Sequence, residues 1–132
     1  MEKPHKKLNV WNAAMDLVAV IYKETDHFPK EEQFSLTNQI RRAELSVPSN
    51  IAEGAARQTK KEFIQFLHVA QGSLSELDTH LEIAKRLGFL GEPNWQALDF
   101  QADRIDKMLS GLIRHERRAE ASGVHGAVRG KA

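Results

Sequence analysis

One apolar seam constrains this chain more than any other feature. Phe63, Leu67, Ala70, Leu74, Leu77, Leu81 and Ala84 follow each other at alternating steps of four and three. That repeat places all seven on a single stripe of an α-helix, sustained over three heptads. At ~1.5 Å per residue the helix is roughly 40 Å long. An apolar stripe of that length is covered only by other helices lying nearly parallel to it.

The rest of the chain supplies those helices. Val10, Ala14, Leu17, Val18 and Ile21 form a stripe that starts after Asn9, a candidate cap, and runs to about Asp26. Pro29 ends it, because a residue before proline avoids the helical conformation. Lys30, Glu31 and Glu32 open a second helix, with acids in the first turn to complement the helix dipole. Its stripe is Leu36, Ile40, Ala43, Val47 and Ile51. Pro48 interrupts it by removing one backbone hydrogen bond, at a cost of ~3 kcal/mol in an isolated helix. The apolar phase continues unchanged from Val47 to Ile51, so Pro48 is expected to kink the helix rather than end it.

A turn is expected around Gly54–Gln58. Thr59 and Glu62 then form a capping box for the long helix. Gly88 suits the position after that helix, and Leu87, Phe89 and Leu90 are expected to close the core. Pro93 suits the first position of a fourth helix. Its stripe is Trp95, Leu98, Ala102, Ile105, Leu109 and Leu112, and it runs to about Arg118. The predicted fold is all-α, an antiparallel up-down-up-down four-helix bundle over residues 9–118. Residues 1–8 read as a flexible basic lead. Residues 119–132 are rich in glycine, alanine and basic residues and read as a disordered tail.

Catalytic motifs are absent. There is no phosphate-binding glycine loop, no His-Glu-x-x-His pair and no cysteine. Glu76 and His80 lie one turn apart, and Asp99, Asp103 and Asp106 form an acidic stripe, but both patterns are ordinary for a solvated helix face. Arg118 and His125 share a spacing with some helical ribonucleases, yet His125 sits in a glycine-flanked tail that would not hold it. The expectation is a protein that is not an enzyme and uses no cofactor and no metal. No run of 18 apolar residues appears, so no membrane partner is expected. The N-terminus lacks the apolar core of a secretion signal, which points to the cytoplasm.

The segment Asn38–Arg57 departs most from an ordinary bundle helix, since it carries Pro48, Gly54, a Ser46/Asn50 pair and the adjacent Arg41 and Arg42. Adjacent residues differ by about 100° around a helix, so the two arginines face different ways. Arg41 lies beside the apolar stripe and is read as a structural tie to a carboxylate, with Glu53 and Glu76 as alternative partners. Ser46 and Asn50 are expected to bond near the kink, where the carbonyl of Glu44 is freed. Arg42, with Arg57, Lys60 and Lys61 at the next turn, is the candidate phosphate-binding set. The net charge of +1 conceals further basic groups at Lys3, Lys6, Lys7 and at Arg114, Arg117, Arg118. Ile64, Phe66, Val69, Phe89 and Phe100 fall outside the main seams and give the bundle a motive for association.

The stretches QIRRAELSVPSNIAEGAAR and FIQFLHVAQGSLSELDTHLEIAKRLG, with LVAVIYKETDHFPKEE before them, resemble the 23S rRNA intervening-sequence (S23) family. The likeness extends from Trp11 to about Leu112. It is densest at Asn50–Gly54 and Gly72–Leu77. The family is similar to accessory variability determinant proteins of diversity-generating retroelements, which form barrel-like homopentamers and bind nucleic acid. The resemblance implies a non-enzymatic homo-oligomer, a pentamer, that binds RNA or DNA. The alternative is a protein-interaction scaffold that engages a partner protein and no nucleic acid.

Overall fold

The computed structural model describes residues 3–123. Helices α1 (Asn9–Thr25), α2 (Leu36–Ala55), α3 (Lys60–Arg86) and α4 (Glu92–Ala121) form the bundle. Short 3₁₀ turns occupy Pro4–Lys7 and Lys30–Glu32, and no strand occurs among the described residues. α2 packs on α3, α3 on α4, and α1 against both α2 and α4. This is the expected up-down arrangement. No helix among the described residues is long and apolar enough to cross a membrane.

The core follows the stripes read from the sequence. All seven seam residues of α3 are buried, as are Leu36, Ile40, Ala43, Val47 and Ile51 of α2. Thr59 caps α3 by accepting from the Glu62 backbone N–H at 3.2 Å, while its hydroxyl donates to the Glu62 carboxylate at 2.9 Å. Both arms lie at the helix start, where free N–H groups need acceptors. At the other end Gly88 adopts φ +81°, and the Phe89 and Gly88 N–H groups bond to Ala84 and Lys85 carbonyls. This paired closure needs a left-handed residue, which glycine adopts without a Cβ clash. Lys85 then places its ammonium 3.6 Å from the Trp95 ring centroid and ties α3 to α4.

Several boundaries differ from the sequence reading. Asn9 is the first helical residue rather than the cap, and the side chain that bonds there is Asn12, to the Leu8 carbonyl at 3.1 Å. Lys30–Glu32 is a separate 3₁₀ turn, and α2 begins at Leu36. The lead expected to be flexible is folded from Pro4: its turn packs on α1 and α2, and Leu8 joins the core. α4 extends to Ala121, three residues past the expected end; residues 124–132, with His125, lie outside the described residues. Leu87 is exposed, so Leu90 and the half-buried Phe89, tilted against Phe28 at 5.9 Å, close the core. Ile64 is a core residue, not a surface one.

α2 runs unbroken through Pro48 to Ala55, and Gly54 lies inside it rather than in the turn. The side chains around Pro48 bond to backbone and to each other. Ser49 donates to the Leu45 carbonyl at 2.8 Å, and Asn50 to the Ser46 carbonyl and hydroxyl at 2.8 and 2.9 Å. The expected bond to the Glu44 carbonyl is therefore not the one formed. Ser46 meets Ser73 of α3 across 2.8 Å. One turn beyond Asn50, a Cβ on Gly54 would sit 2.6 Å from Phe66 Cβ and 3.0 Å from Phe63 Cδ1. Ser46, Ser73 and Gly54 thus let α2 and α3 approach closely, which explains the small residues that looked anomalous in a bundle helix.

Candidate nucleic-acid interface

The antiparallel packing brings the α2–α3 turn and the C-terminal end of α4 to the same end of the bundle. A buried ion pair fixes the two. Lys60 Nζ donates to Glu116 Oε1 at 2.9 Å, with the residues 6% and 2% exposed. This corrects the assignment of Lys60 as a phosphate-binding residue. Its position at the first turn of α3 faces inward toward α4, so its charge is neutralised inside the protein.

Lys61, the next residue, is exposed and makes no ion pair among the described residues. Seven residues on, and so on the same face of α3, His68 Nε2 lies 3.0 Å from Arg117 Nη2 on α4. Arg114, Arg117 and Arg118 occupy i, i+3 and i+4 positions, adjacent on the α4 surface, and all are exposed. Lys61 and these three arginines lie on neighbouring outer faces of α3 and α4, which the His68–Arg117 contact joins. The three arginines are a cluster in the chain itself, but nothing local joins them to Lys61. Only the antiparallel register does that.

The other candidates fall elsewhere. Arg57 belongs to the same end but to the α2 flank, where it pairs with Glu53 at 2.9 Å and covers the Phe66 ring at 4.8 Å. Glu53 is therefore not the partner of Arg41. Glu76 is not either: it is exposed and forms no ion pair among the described residues. Arg41 instead turns to α1. Its Nε donates to Thr25 Oγ1 at 2.9 Å, its guanidinium lies 4.4 Å from the Tyr22 ring, and Asp26 sits 3.5 Å away. Arg41 thus contacts α1 rather than Glu53 or Glu76, because it faces the α1 side of α2. Arg42 is exposed, but fifteen residues before Arg57, it stands roughly 20 Å away along the helix axis.

Farther along the α3–α4 seam the sign reverses. Asp78, Asp99, Asp103 and Asp106 line a shallow groove with Ser75 and Thr79. Burial, reinforced by the Asp99 carboxylate nearby, holds the Asp78 carboxyl above its ordinary range. Asp103 pairs with Lys107 at 3.0 Å, and Asp106 accepts from Gln71 at 3.2 Å. No group of three or more His, Asp or Glu side chains suited to a metal ion occurs among the described residues.

One polar group escaped the sequence reading altogether. Glu44 is 0% exposed, and neither carboxylate oxygen has a hydrogen-bond partner. Burial alone pushes its carboxyl up to about 8. Its position four residues after Ile40 and three before Val47, which puts it on the apolar stripe, was the available signal.

Residues 6–111 match the family model described as 23S rRNA-intervening sequence protein. The chain belongs to that family. A solved structure of an S23 ribosomal protein family member of unknown function from Bacteroides thetaiotaomicron shares the fold, at a TM-score of 0.71. It is 23% identical, over 79% of this chain and 97% of that one. None of the curated proteins compared is similar to the chain. The S23 match takes in Arg42, Arg57, Lys61 and the Lys60 half of the buried pair, and it stops before Arg114, Glu116, Arg117 and Arg118. In this S23 protein, all three arginines of the basic surface thus lie outside the matched span.

Proposed function

We propose that this protein is a non-enzymatic homo-oligomer that binds RNA or DNA through the basic end of each bundle. The carrying observation is the convergence of Lys61, Arg114, Arg117 and Arg118 on one surface held rigid by the Lys60–Glu116 pair. Exposed cations on a fixed surface gain affinity for phosphates by releasing counterions. A pentamer, the form implied by the family resemblance, would present five such surfaces around one axis and raise the effective concentration of each. Arg57, half-neutralised by Glu53, and the distant Arg42 would make weaker contacts.

Exposed aromatic side chains support a second reading, a scaffold that engages a partner protein: Phe34 is 87% exposed and Phe100 is 72% exposed. The two readings separate in one measurement. Binding of a structured RNA and of duplex DNA is followed by anisotropy from 50 to 300 mM salt, for the parent and for a Lys61→Ala/Arg114→Ala/Arg117→Ala/Arg118→Ala variant. The proposal expects salt-dependent binding that the variant loses at least tenfold, with a shallower salt slope. Absence of binding at 50 mM salt, or equal binding by the variant, would overturn it in favour of the scaffold.

A further inference from the structure

We infer that copies of this chain join head to tail, with Phe34 of one copy seated in an apolar groove between α1 and α2 of the next. The inference rests on the homo-oligomer reading above and assigns its contact. The groove is lined by Trp11, Met15, Val18, Leu45, Pro48 and Ala52, with His5 edge-on to Trp11 at 4.9 Å. Its volume is about 250 Å³. Clefts that hold free drug-sized ligands are larger, roughly 300–1,000 Å³, so this one suits a single inserted side chain.

Phe34 fits it as an occupant. It is the most exposed large apolar side chain among the described residues, and it projects from the linker between the Lys30–Glu32 turn and α2. A chain cannot fill its own groove, because Phe34 precedes the start of α2 while the groove lies against its second half, Leu45 to Ala52. The charges are complementary. Beside the groove, the Pro4–Lys7 turn carries exposed Lys6 and Lys7, with Lys3 just before it, and none of them forms an ion pair among the described residues. Burial first, and then Lys6 and Lys3, hold His5 below its ordinary range. Beside Phe34 stand Glu31 and Glu32, offset in part by Lys30. Phe100 lacks this match, since Asp99, Asp103 and Arg104 around it are of mixed sign.

One knob and one groove per chain make a heterologous contact, which closes into a ring or propagates. The test uses light-scattering masses of the full chain at 100 µM, with circular dichroism to check folding. Parent protein, Phe34→Glu and Leu45→Glu are measured alone, and the two variants are then mixed in equal amounts. Both substituted side chains are exposed, so the fold is expected to survive. The expected result is an oligomeric parent, two monomeric variants, and a mixture that forms dimers and nothing larger. In that dimer the intact Phe34 of the Leu45→Glu chain enters the intact groove of the Phe34→Glu chain. A monomeric parent would overturn the oligomer reading itself. An oligomeric parent whose mass survives Phe34→Glu, or variants that stay monomeric when mixed, would overturn only the contact assigned here.

Discussion

Lys60 Nζ and Glu116 Oε1 lie 2.9 Å apart in the interior, joining residues fifty-six positions apart in the chain. The pair sits where the first turn of α3 meets the last turns of α4. Two charges taken out of water are costly singly and tolerable together. Lys60→Met should therefore destabilise the bundle by about 3–5 kcal/mol, because it leaves Glu116 buried with only the exposed His115 ring, 3.8 Å away, beside it. Adding Glu116→Leu should restore most of that loss. Urea unfolding of the two single variants and the double variant checks this, and additive losses would show that the pair is not coupled.

Gly54 and Gly72 are both helical, and they should respond to alanine with opposite signs. Alanine is favoured over glycine in a helix interior by about 1 kcal/mol. At Gly72 nothing lies within 4 Å of the added methyl group, so Gly72→Ala should raise the unfolding free energy by roughly that amount. At Gly54 the methyl would meet Phe66 Cβ at 2.6 Å, a backbone-proximal atom that cannot swing away. Gly54→Ala should cost about 1–3 kcal/mol through forced separation of α2 and α3. Paired denaturation curves decide it.

Glu44 should make stability fall as pH rises. Its carboxyl is pushed from 4.5 up to about 8 by burial. Below about pH 4.5 the group is neutral in both states and has no effect. Between there and about pH 8 the unfolded chain ionises while the folded chain stays neutral, which favours unfolding progressively. Each unit of displacement corresponds to about 1.4 kcal/mol. Glu44→Leu, similar in size and apolar, should gain stability over the parent on the order of a few kcal/mol at pH 9, and the gain should shrink toward pH 5. A pH-independent difference between the two proteins would refute the assignment.

Arg41 should not be replaceable by lysine. Its fork reaches Thr25 Oγ1 while its plane lies over Tyr22, and an ammonium cannot do both. Arg41→Lys should cost about 1–2 kcal/mol, close to the loss in Arg41→Ala. Thermal unfolding of the three proteins measures this, and a lysine variant as stable as the parent would show that only charge matters there.

Much of the bundle was legible before the structure, for a physical reason. A helix buries one stripe, and the stripes of α1 to α4 could be counted off as steps of three and four. Capping also reads locally, since Thr59 with Glu62 and Gly88 act within a turn of the chain. Boundaries governed by packing did not read. The Pro4–Lys7 turn is folded because Leu8 finds the core, and nothing in a short basic segment announces that.

The site was legible in part. Lys61 and the three α4 arginines stood out as charges, but their meeting and the exclusion of Lys60 depend on distant neighbours. The helices, their apolar faces and the family were set by local order, because each follows from residues within a few positions of one another. Which charges are buried, which reach solvent and which share a surface depended on the packing of segments distant in the chain. Lys60 and Lys61 are adjacent in the chain, yet about 100° of helical rotation sends one to Glu116 and the other to water.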